Sequence, residues 1–445
     1  MSSVGIYLIA VLILILLGCN LGVSFLIVSL VYTLFAGGNI AAFCSTAYEA
    51  IDKYSLLAVP LFMIGGLLME KSGIADRLVV WCEALLRKIK GGLGAVIPLA
   101  SMLFGMLTGS GQATVATMST ILVPKMEKLG WDKRYVAAMI TAASPLGFMI
   151  PPNMCAIIFS TVTTASVADL FMCTVIPGIL WGLGYIVYNQ IVYKKYLHDP
   201  KTAAAFEALE DAKNALPPDN ALSERKSFLR VTWESIPAWI MPLIILGGIF
   251  SGTFSPTEAG AVACLYGILA GAVLFRSLKV KDLWFCFRET GESIGTVLIM
   301  IPFVTIFTNI IVKSGFPSEL TAWLTGTFHS RWALLLMIDV IFVLAGFFFD
   351  SSILTLVLPP ILMPTVSAIG VSPVQFGAIV FCAIGVGAMT PPMCSNLYLC
   401  ARISKVNPMD IVKPILPLIF FVAVPIMLLV TYVPWLSEWL PSVLR

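Results

Sequence analysis

The sequence is poor in charged residues and has almost no histidine. Of its 445 residues, 11% are Asp, Glu, Lys or Arg, and only His198 and His329 are histidines. An ordinary soluble domain carries about a quarter charged residues, so lipid must face much of this chain. The HExxH, GxSxG and GxxxxGK[ST] motifs are absent. The sequence therefore lacks the motifs for metal-dependent hydrolysis, esterase chemistry and P-loop ATP use, and we expect no enzyme activity.

Paired cysteines and basic clusters are also missing. The ten cysteines are scattered without a CxxC pair, which indicates neither a zinc site nor a redox dithiol. The formal net charge is +3, and its cations are spread along the chain. Nucleic-acid binding needs a clustered basic patch. We expect no nucleic-acid partner and no organic cofactor.

What the chain does have is a set of very long uncharged runs. None of these runs contains Asp, Glu, Lys, Arg or His: 1–48, 91–124, 135–168 and 351–401. One membrane crossing needs about 20 apolar residues, so each run must turn back or break within the membrane. The first segment lacks the basic start of a cleavable signal peptide and predicts a retained helix. The sequence therefore predicts an all-α, multi-pass membrane protein.

The chain divides into two halves around one polar stretch. Residues 194–230 hold seven Lys or Arg and six acids, with Pro217-Pro218 among them. This composition predicts a linker on the cytoplasmic side. The first half, 1–193, has a predicted hairpin at 91–128, and the second half, 231–445, has one at 331–369.

The halves repeat one another. A gapless shift of 240 residues superimposes helix breakers and their neighbours. The matched pairs are Pro124 with Pro364, Gly130 with Gly370, Gly147 with Gly387, Met149 with Met389, Pro151 with Pro391, and Pro152 with Pro392. Paired Gly/Pro-interrupted segments in two halves indicate the binding site of a transporter.

Charge predicts that the two copies are inverted. Seven cations flank the first hairpin: Arg87, Lys88, Lys90, Lys125, Lys128, Lys133 and Arg134. Only His329 and Arg331 precede the second hairpin. Cations beside short membrane segments mark the cytoplasmic side, so the first hairpin should enter from inside and the second from outside. We expect two inverted repeats, each with a re-entrant hairpin.

Each hairpin has a polar tip that pairs with a broken helix. Tip 1 is Gly109-Ser110-Gly111-Gln112 and pairs with break 1, residues 144–153. Tip 2 is Phe349-Asp350-Ser351-Ser352 and pairs with break 2, residues 385–392. Proline and glycine free backbone groups, which in a membrane must line a polar cavity. Free carbonyls and hydroxyls suit Na⁺, and half-helix N-termini attract an anion. The alternative is that the breaks are kinks without a ligand.

The candidate site residues follow from these segments. One Na⁺ site is predicted at Ser110, Ser144 and Gly147. A second Na⁺ site is predicted at Asp350, Ser351, Gly385, Gly387 and Thr390. The polar side chains beside the breaks are the candidate substrate contacts, or alternatively helix caps: Asn153, Ser352, Ser395 and Asn396. The apolar segments contain three notable acids, Glu70, Asp339 and Asp350, and such acids are functional candidates by default. For Asp350, Na⁺ binding, proton transfer and helix capping all remain open.

Several motifs occur in an order typical of one family. They include LLAVPLF at 56–62, SPTEAG at 255–260, PPILMP at 359–364, TPP at 390–392 and VTYVP at 430–434. With break 1, they make the chain resemble, over nearly its whole length, the DctM-like large membrane subunit of tripartite ATP-independent periplasmic (TRAP) transporters. The chain departs from the family pattern where the ligand would bind: at Gly111, at Ala113-Thr114, at Asn153 and at 393–395.

The resemblance implies an elevator-type symporter in the bacterial inner membrane, coupled to Na⁺. Its substrate would be a small organic anion, such as a C4-dicarboxylate, a sugar acid or a sulfonate. A periplasmic binding protein would deliver this anion, and a small four-helix (Q) subunit would join the permease. Because no four-helix extension precedes Met1, we expect that subunit to be a separate chain. A stand-alone anion symporter and an uncoupled channel or uniporter are the alternatives.

Overall fold

The structure is a computed structural model that describes residues 3–35, 39–86, 89, 91–196, 228–391 and 394–444. Within these residues every regular element is helical and no strand occurs. Seven of the described helices are long and apolar enough to cross a membrane. An eighth span is added if the bent pair Lys133–Met149 and Met154–Val162 counts as one. The predicted multi-pass helical protein is confirmed.

Eleven helices make up the described part of the first half. They are α1 Ser3–Leu16, α2 Leu21–Phe35, α3 Ile40–Ile51, α4 Ala58–Lys71, α5 Ile74–Leu86, α6 Gly92–Thr108, α7 Gly111–Lys128, α8 Lys133–Ala143, α9 Leu146–Met149, α10 Met154–Val162 and α11 Val167–Tyr196. A 3₁₀ turn, Tyr54–Leu57, leads into α4.

The described part of the second half has another eleven. They are α12 Phe228–Phe250, α13 Pro256–Leu269, α14 Val280–Lys313, α15 Phe316–Thr327, α16 Arg331–Gly346, α17 Ser351–Ala368, α18 Pro373–Met389, α19 Ser395–Ser404, α20 Pro408–Leu418, α21 Val424–Tyr432 and α22 Trp435–Leu444. Two π-helical turns, Ala270–Leu274 and Ile419–Ala423, continue α13 and join α20 to α21.

Helices extend into both margins of the predicted linker. Helix α11 runs on to Tyr196, and α12 begins at Phe228, so helices occupy both margins of 194–230. Residues 197–227, which carry most of the predicted linker, lie outside the described residues, as do Arg87, Lys88 and Lys90 of the charge argument. Of the described cations beside the first hairpin, Lys125 pairs with Glu83 at 2.5 Å.

Both predicted hairpins are present. Helices α6 and α7 are joined by Gly109, whose φ of 59° lies in the left-handed region that glycine adopts freely, and by Ser110, which caps α7. Helices α16 and α17 are joined by residues 347–350, and Asp350 caps α17. The two turns place a polar residue at the start of each second helix.

Both predicted breaks are also present in the described residues. The first interrupts α8 after Ala143, leaves the short helix α9, and resumes as α10 with a bend of 49°. The second begins later than the predicted 385–392, because α18 continues as a helix through Gly385 and Gly387 to Met389, and the break lies between Met389 and Ser395, which begins α19. Pro392 and Met393 lie outside the described residues.

In each half, the second helix of the hairpin packs against a helix of the other half. Helix α7 of the first hairpin packs against α19, which follows the second break. In the same way, α17 of the second hairpin packs against α10, which follows the first break. Helices α4, α5, α12, α13 and α14, which we call the frame, pack together, and α4 and α14 also contact the hairpin helices α6 and α17, respectively. The two tips are thereby brought to one place.

Candidate functional site

A cavity of about 840 Å³ lies between the two hairpin tips. Residues 108–113 of the first hairpin and residues 346–353 of the second both line it. Most of the remaining wall comes from α4, α10, α14 and α19, and the broken helices add Phe148 of α9 and Ala388 of α18. The tips, which are 240 residues apart in sequence, therefore face a common space.

Four helices begin at this cavity. Gly111, Met154, Ser351 and Ser395 are the first residues of α7, α10, α17 and α19, and all four line the cavity. The first N–H groups of a helix have no partner within it, and the helix dipole gives that end a partial positive charge. Four such ends around one space make a site suited to an anion.

At tip 1, Ser110 caps α7 and is partly exposed. Its hydroxyl accepts a hydrogen bond from the Ala113 amide at 3.4 Å, and its carbonyl accepts two, from the Thr114 hydroxyl at 2.9 Å and from the Thr114 amide at 3.1 Å. The hydroxyl oxygen keeps a lone pair beyond its bond. Ser110 lines the cavity, so its oxygens lie where the sequence predicts an ion.

Break 1 packs tightly on tip 1. A methyl group built on Gly147 would lie 2.7 Å from the Ser110 carbonyl oxygen and 3.1 Å from the Cα of Gly111. A methyl group built on Gly111 would lie 2.9 Å from the carbonyl oxygen of Ser144. The structure therefore brings Ser110, Ser144 and Gly147, the first predicted Na⁺ set, into contact.

At tip 2, Asp350 occupies the helix-capping position. Its Oδ1 accepts a hydrogen bond from the Ser352 amide at 2.9 Å, and its side chain is exposed and lines the cavity. The carbonyl of Ser351 accepts a bond from the Thr355 hydroxyl at 2.7 Å. The bond between Thr114 and Ser110 also joins a threonine hydroxyl to a carbonyl four residues earlier, but there the accepting residue is the cap, whereas Ser351 is the first residue of its helix.

The second predicted Na⁺ set is spread over a wider region than the first. Asp350 and Ser351 line the cavity, whereas Gly385, Gly387 and Thr390 do not. A methyl group on Gly387 would lie 2.7 Å from the Cα of Gly346, in the first arm of the hairpin. The Thr390 hydroxyl donates to the Val386 carbonyl at 2.6 Å.

The Gly385 hydrogen that a side chain would replace faces away from tip 2. A methyl group built on it would lie 3.1 Å from the Cβ of Pro145 and 3.4 Å from the Trp181 ring. Gly385 therefore lies where the two breaks meet each other. Its position two residues before Gly387 puts it on the opposite side of α18, because successive helical residues turn by about 100°.

Of the predicted substrate contacts, Ser352, Ser395 and Asn396 line the cavity, and Asn153 does not. Asn153 is fully buried and caps α10, with its Oδ1 accepting from the Ala156 amide at 3.2 Å. Its side-chain nitrogen has no partner among the described residues.

Asn396 connects the two candidate sites. Its Nδ2 donates to the Ser144 hydroxyl at 2.9 Å, and both side chains are buried. Its Oδ1 has no partner among the described residues although it is buried. A predicted substrate contact of the second half therefore bonds a predicted ion ligand of the first half.

Sequence reasoning missed Lys71 and Glu289 in the charged wall. Both line the cavity, together with Glu70, one of the three candidate acids, and Gln112 of tip 1. Lys71 is the only cation among the described residues that line the cavity, and its Nζ lies 4.6 Å from the centre of the Phe285 ring. Glu70 and Lys71 fall in the last turn of α4. The sequence contains no separate signal that this end opens on the cavity.

The chain matches a protein-family model along nearly its whole length. The family is described as "Tripartite ATP-independent periplasmic transporter, DctM component", and the match covers residues 8–436. The family resemblance predicted from the sequence motifs is confirmed.

Two curated relatives show the same similarity. The C4-dicarboxylate TRAP transporter large permease protein DctM of Pseudomonas aeruginosa is 30% identical, over 93% of this chain and 92% of the relative. The isethionate TRAP transporter permease protein DctMQ of Oleidesulfovibrio alaskensis is 31% identical over 87% of this chain. The match spans only 58% of that longer relative.

One solved structure has the same fold. The YdaH transporter of Alcanivorax borkumensis superimposes with a TM-score of 0.67, and the match covers 99% of each chain at 14% sequence identity. At this identity the likeness concerns the fold alone. The predicted fold class, an all-α multi-pass transporter fold, is confirmed by this match.

Proposed function

The chain belongs to the DctM component family of tripartite ATP-independent periplasmic transporters, and we propose that it is the large permease subunit of a Na⁺-coupled transporter for a small organic anion. Its family and its apolar helices make it a multi-pass protein of the inner membrane. Substrate, coupling ion and partners are the parts of the proposal that go beyond the family.

One observation carries the choice of an anion: the four helix N-termini that meet at the cavity between the tips. Partial positive charge from helix ends stabilises a carboxylate or sulfonate without placing a fixed cation beside it. Lys71 adds one full positive charge at the wall. A cavity of about 840 Å³ is in the range for a small ligand.

The names of two relatives support the same class. One is named for C4-dicarboxylates and the other for isethionate. Both ligands are small organic anions with hydrogen-bonding oxygens. For this chain we propose a small carboxylate or sulfonate, contacted by Ser352, Ser395 and Asn396.

Sodium coupling is supported by the first predicted ion set. Ser110, Ser144 and Gly147 lie in contact, and backbone carbonyls and hydroxyls are the hard oxygen ligands that Na⁺ accepts. The fixed acids Glu70, Glu289 and Asp350 in the cavity wall also favour a cation entering with the anion. We propose a second Na⁺ near Asp350 and Ser351, which line the cavity. Gly387 and Thr390, which do not line it, complete this proposed site.

We propose that transport moves the hairpins and broken helices as a unit against the frame. The tips and breaks pack closely on each other through the contacts of Gly111, Gly147, Gly346 and Gly387. Such close packing would keep the ion sites intact while the unit moves. Helices α4 and α14 would form the fixed side of the cavity.

The partners we propose are a small four-helix membrane subunit and a periplasmic binding protein. Large apolar side chains on the first helices are exposed, among them Ile13, Leu17, Leu34 and Phe35. Such a surface can seat a neighbouring helix bundle, although lipid would also cover it. The binding protein would dock on the periplasmic side and release the anion into the cavity.

Reconstitution in liposomes tests the proposal. The chain, the small subunit and the binding protein are combined under an inward Na⁺ gradient, with radiolabelled anion bound to the binding protein. We expect uptake that needs all three proteins and stops when K⁺ replaces Na⁺. Uptake of free anion by this chain alone would favour a stand-alone symporter. Uptake without a Na⁺ gradient, at an unchanged rate, would exclude Na⁺ coupling.

A further inference from the structure

Asp339 is an acid buried inside the second half, away from the cavity. It lies in the middle of α16, its exposed fraction is 0%, and it does not line the space between the tips. Its Oδ2 has no hydrogen-bond partner among the described residues. An ionised carboxylate in such a place would lose most of its solvation.

The hydrogen bonds around Asp339 can be counted. The Thr431 hydroxyl lies 3.1 Å from the Asp339 Oδ1 and 3.0 Å from the Met427 carbonyl oxygen. A hydroxyl has one hydrogen, and a carbonyl can only accept. If Thr431 donates to Met427, the bond to Asp339 needs a hydrogen on Asp339. A protonated carboxyl therefore satisfies both contacts, whereas a carboxylate satisfies only one of them.

No positive charge among the described residues compensates Asp339. The titratable groups that face it are Cys382 of α18 and Tyr432. Helix α17, which also packs on α16, has no titratable side chain. Arg331 of α16 lies eight residues away, about 12 Å along the helix at about 1.5 Å per residue. The described residues also contain no group of three or more His, Cys, Asp or Glu that could hold a metal ion.

Polar groups continue from Thr431 toward the surface. The Gln375 side chain donates from its Nε2 to the backbone carbonyl of Thr431 at 3.2 Å, and the backbone amide of Gln375 donates to the Ser372 hydroxyl at 3.0 Å. Ser372 in turn donates to the Oε1 of Glu438. Neither Gln375 nor Ser372 brings a positive charge to Asp339.

We propose that Asp339 is a proton-binding site, separate from the cavity between the tips, that holds its proton in this conformation. The ligand is a proton, and binding converts the carboxylate into a neutral carboxylic acid. Intramembrane acids that lie inside a helical bundle commonly serve proton transfer. The site is independent of the substrate and of the Na⁺ sites in the proposed function.

Infrared difference spectroscopy on the purified chain in lipid nanodiscs tests the protonation. The carbonyl stretch of a protonated carboxylic acid is compared between wild type and Asp339→Asn at neutral pH, where an exposed aspartate is ionised. We expect a band in the wild type that is lost in Asp339→Asn and retained in Asp169→Asn. A wild-type spectrum without that band would show that Asp339 is ionised and would overturn the proposal.

One further measurement keeps the test independent of how the variants fold. Dicyclohexylcarbodiimide, an apolar reagent that attacks protonated carboxyl groups, should label Asp339 in the wild type, as read by peptide mass spectrometry. No label at Asp339 would contradict the proposal.

Discussion

The side-chain amide of Asn396 donates a hydrogen bond to the Ser144 hydroxyl at 2.9 Å and thereby joins the two broken helices across 252 residues of sequence. Asn396 lines the cavity between the tips, and Ser144 lies against tip 1. A ligand that shifts the Asn396 side chain would therefore also disturb Ser144, because one hydrogen bond joins the two side chains. This contact gives a physical route by which substrate and Na⁺ binding could depend on each other.

We predict that Asn396→Ala raises both the KM for the anion and the Na⁺ concentration for half-maximal uptake. One lost hydrogen bond costs about 0.5–1.5 kcal/mol, which is roughly a factor of 2 to 10 in affinity. The measurement is uptake by the reconstituted transporter at varied Na⁺ and varied anion.

A double-mutant cycle separates the bond from the two residues. Ser144→Ala and Asn396→Ala remove the same hydrogen bond, so the combined variant should lose less than the sum of the single losses. Strictly additive effects on Na⁺ affinity would show that the contact between Asn396 and Ser144 does not couple the sites.

We predict that Thr390→Val weakens Na⁺ binding. Valine keeps the shape of threonine and removes an oxygen, so more Na⁺ should be needed for uptake. The matched control is Thr120→Val, because the Thr120 hydroxyl donates to the Ala116 carbonyl at 2.8 Å, as Thr390 does to Val386, but on an exposed face of α7. Equal Na⁺ dependence in the two variants would move the second ion site away from break 2.

We predict that Gly387→Ala destabilises the protein. The added methyl group would lie 2.7 Å from the Cα of Gly346 and 2.8 Å from the Val343 carbonyl oxygen. Both are backbone atoms, so no side-chain rotation can relieve the clash. Overpacking of this kind costs about 1–3 kcal/mol. The thermal unfolding midpoint in detergent should fall.

Gly295→Ala is the control for this glycine. Gly295 is also helical, in α14, and nothing lies within 4 Å of its added methyl group. Alanine gains about 1 kcal/mol over glycine in a helix, so the midpoint should stay or rise. If Gly387→Ala behaved like Gly295→Ala, the close contact between α16 and α18 would not limit stability.

We predict opposite membrane sides for the two hairpin bases. Lys128, at the end of the first hairpin, should be cytoplasmic, and Ser367, at the end of the second, should be periplasmic. Both residues are exposed. Single cysteines at these positions, in a chain without its native cysteines, are labelled with an impermeant maleimide in right-side-out vesicles. Only the cysteine at 367 should react, and labelling of both from outside would contradict the inverted orientation.

The sequence was sufficient to predict the hairpins and breaks because helix breakers act locally. Gly109 turns the chain at tip 1, and Ser110 and Asp350 cap the helices that follow, as their residue types favour. These features depend on a few neighbouring residues, and the shift of 240 residues shows them twice.

Contacts between distant helices could not be predicted in this way. Gly385 and Gly387 look equivalent in the sequence, yet one packs on Pro145 and the other on Gly346. That difference depends on the rotation of α18 within the bundle. The placement of Glu289 in the cavity wall likewise depends on how α14 crosses α4 and α17, which periodicity does not determine.

We predict that Lys71 attracts the anion into the cavity. It is the only cation among the described residues that line the cavity, and Glu70, Glu289 and Asp350 lie in the same wall. Its removal would leave these acids without an opposing charge in the wall, which slows the entry of an anion. Lys71→Gln should therefore lower kcat/KM, by about tenfold at low salt if the lost attraction is about 1.4 kcal/mol, whereas Lys71→Arg should keep most of it.

Salt dependence distinguishes attraction from a structural role of Lys71. Dissolved ions screen charges beyond about 10 Å at 0.1 M ionic strength, so the difference between wild type and Lys71→Gln should shrink as an inert salt is added at constant Na⁺. Lys405→Gln, at the end of α19 and outside the cavity wall, is the control and should change uptake little. A loss in Lys71→Gln that is the same at every salt concentration would mean that Lys71 supports the end of α4 against Phe285 and does not guide the anion.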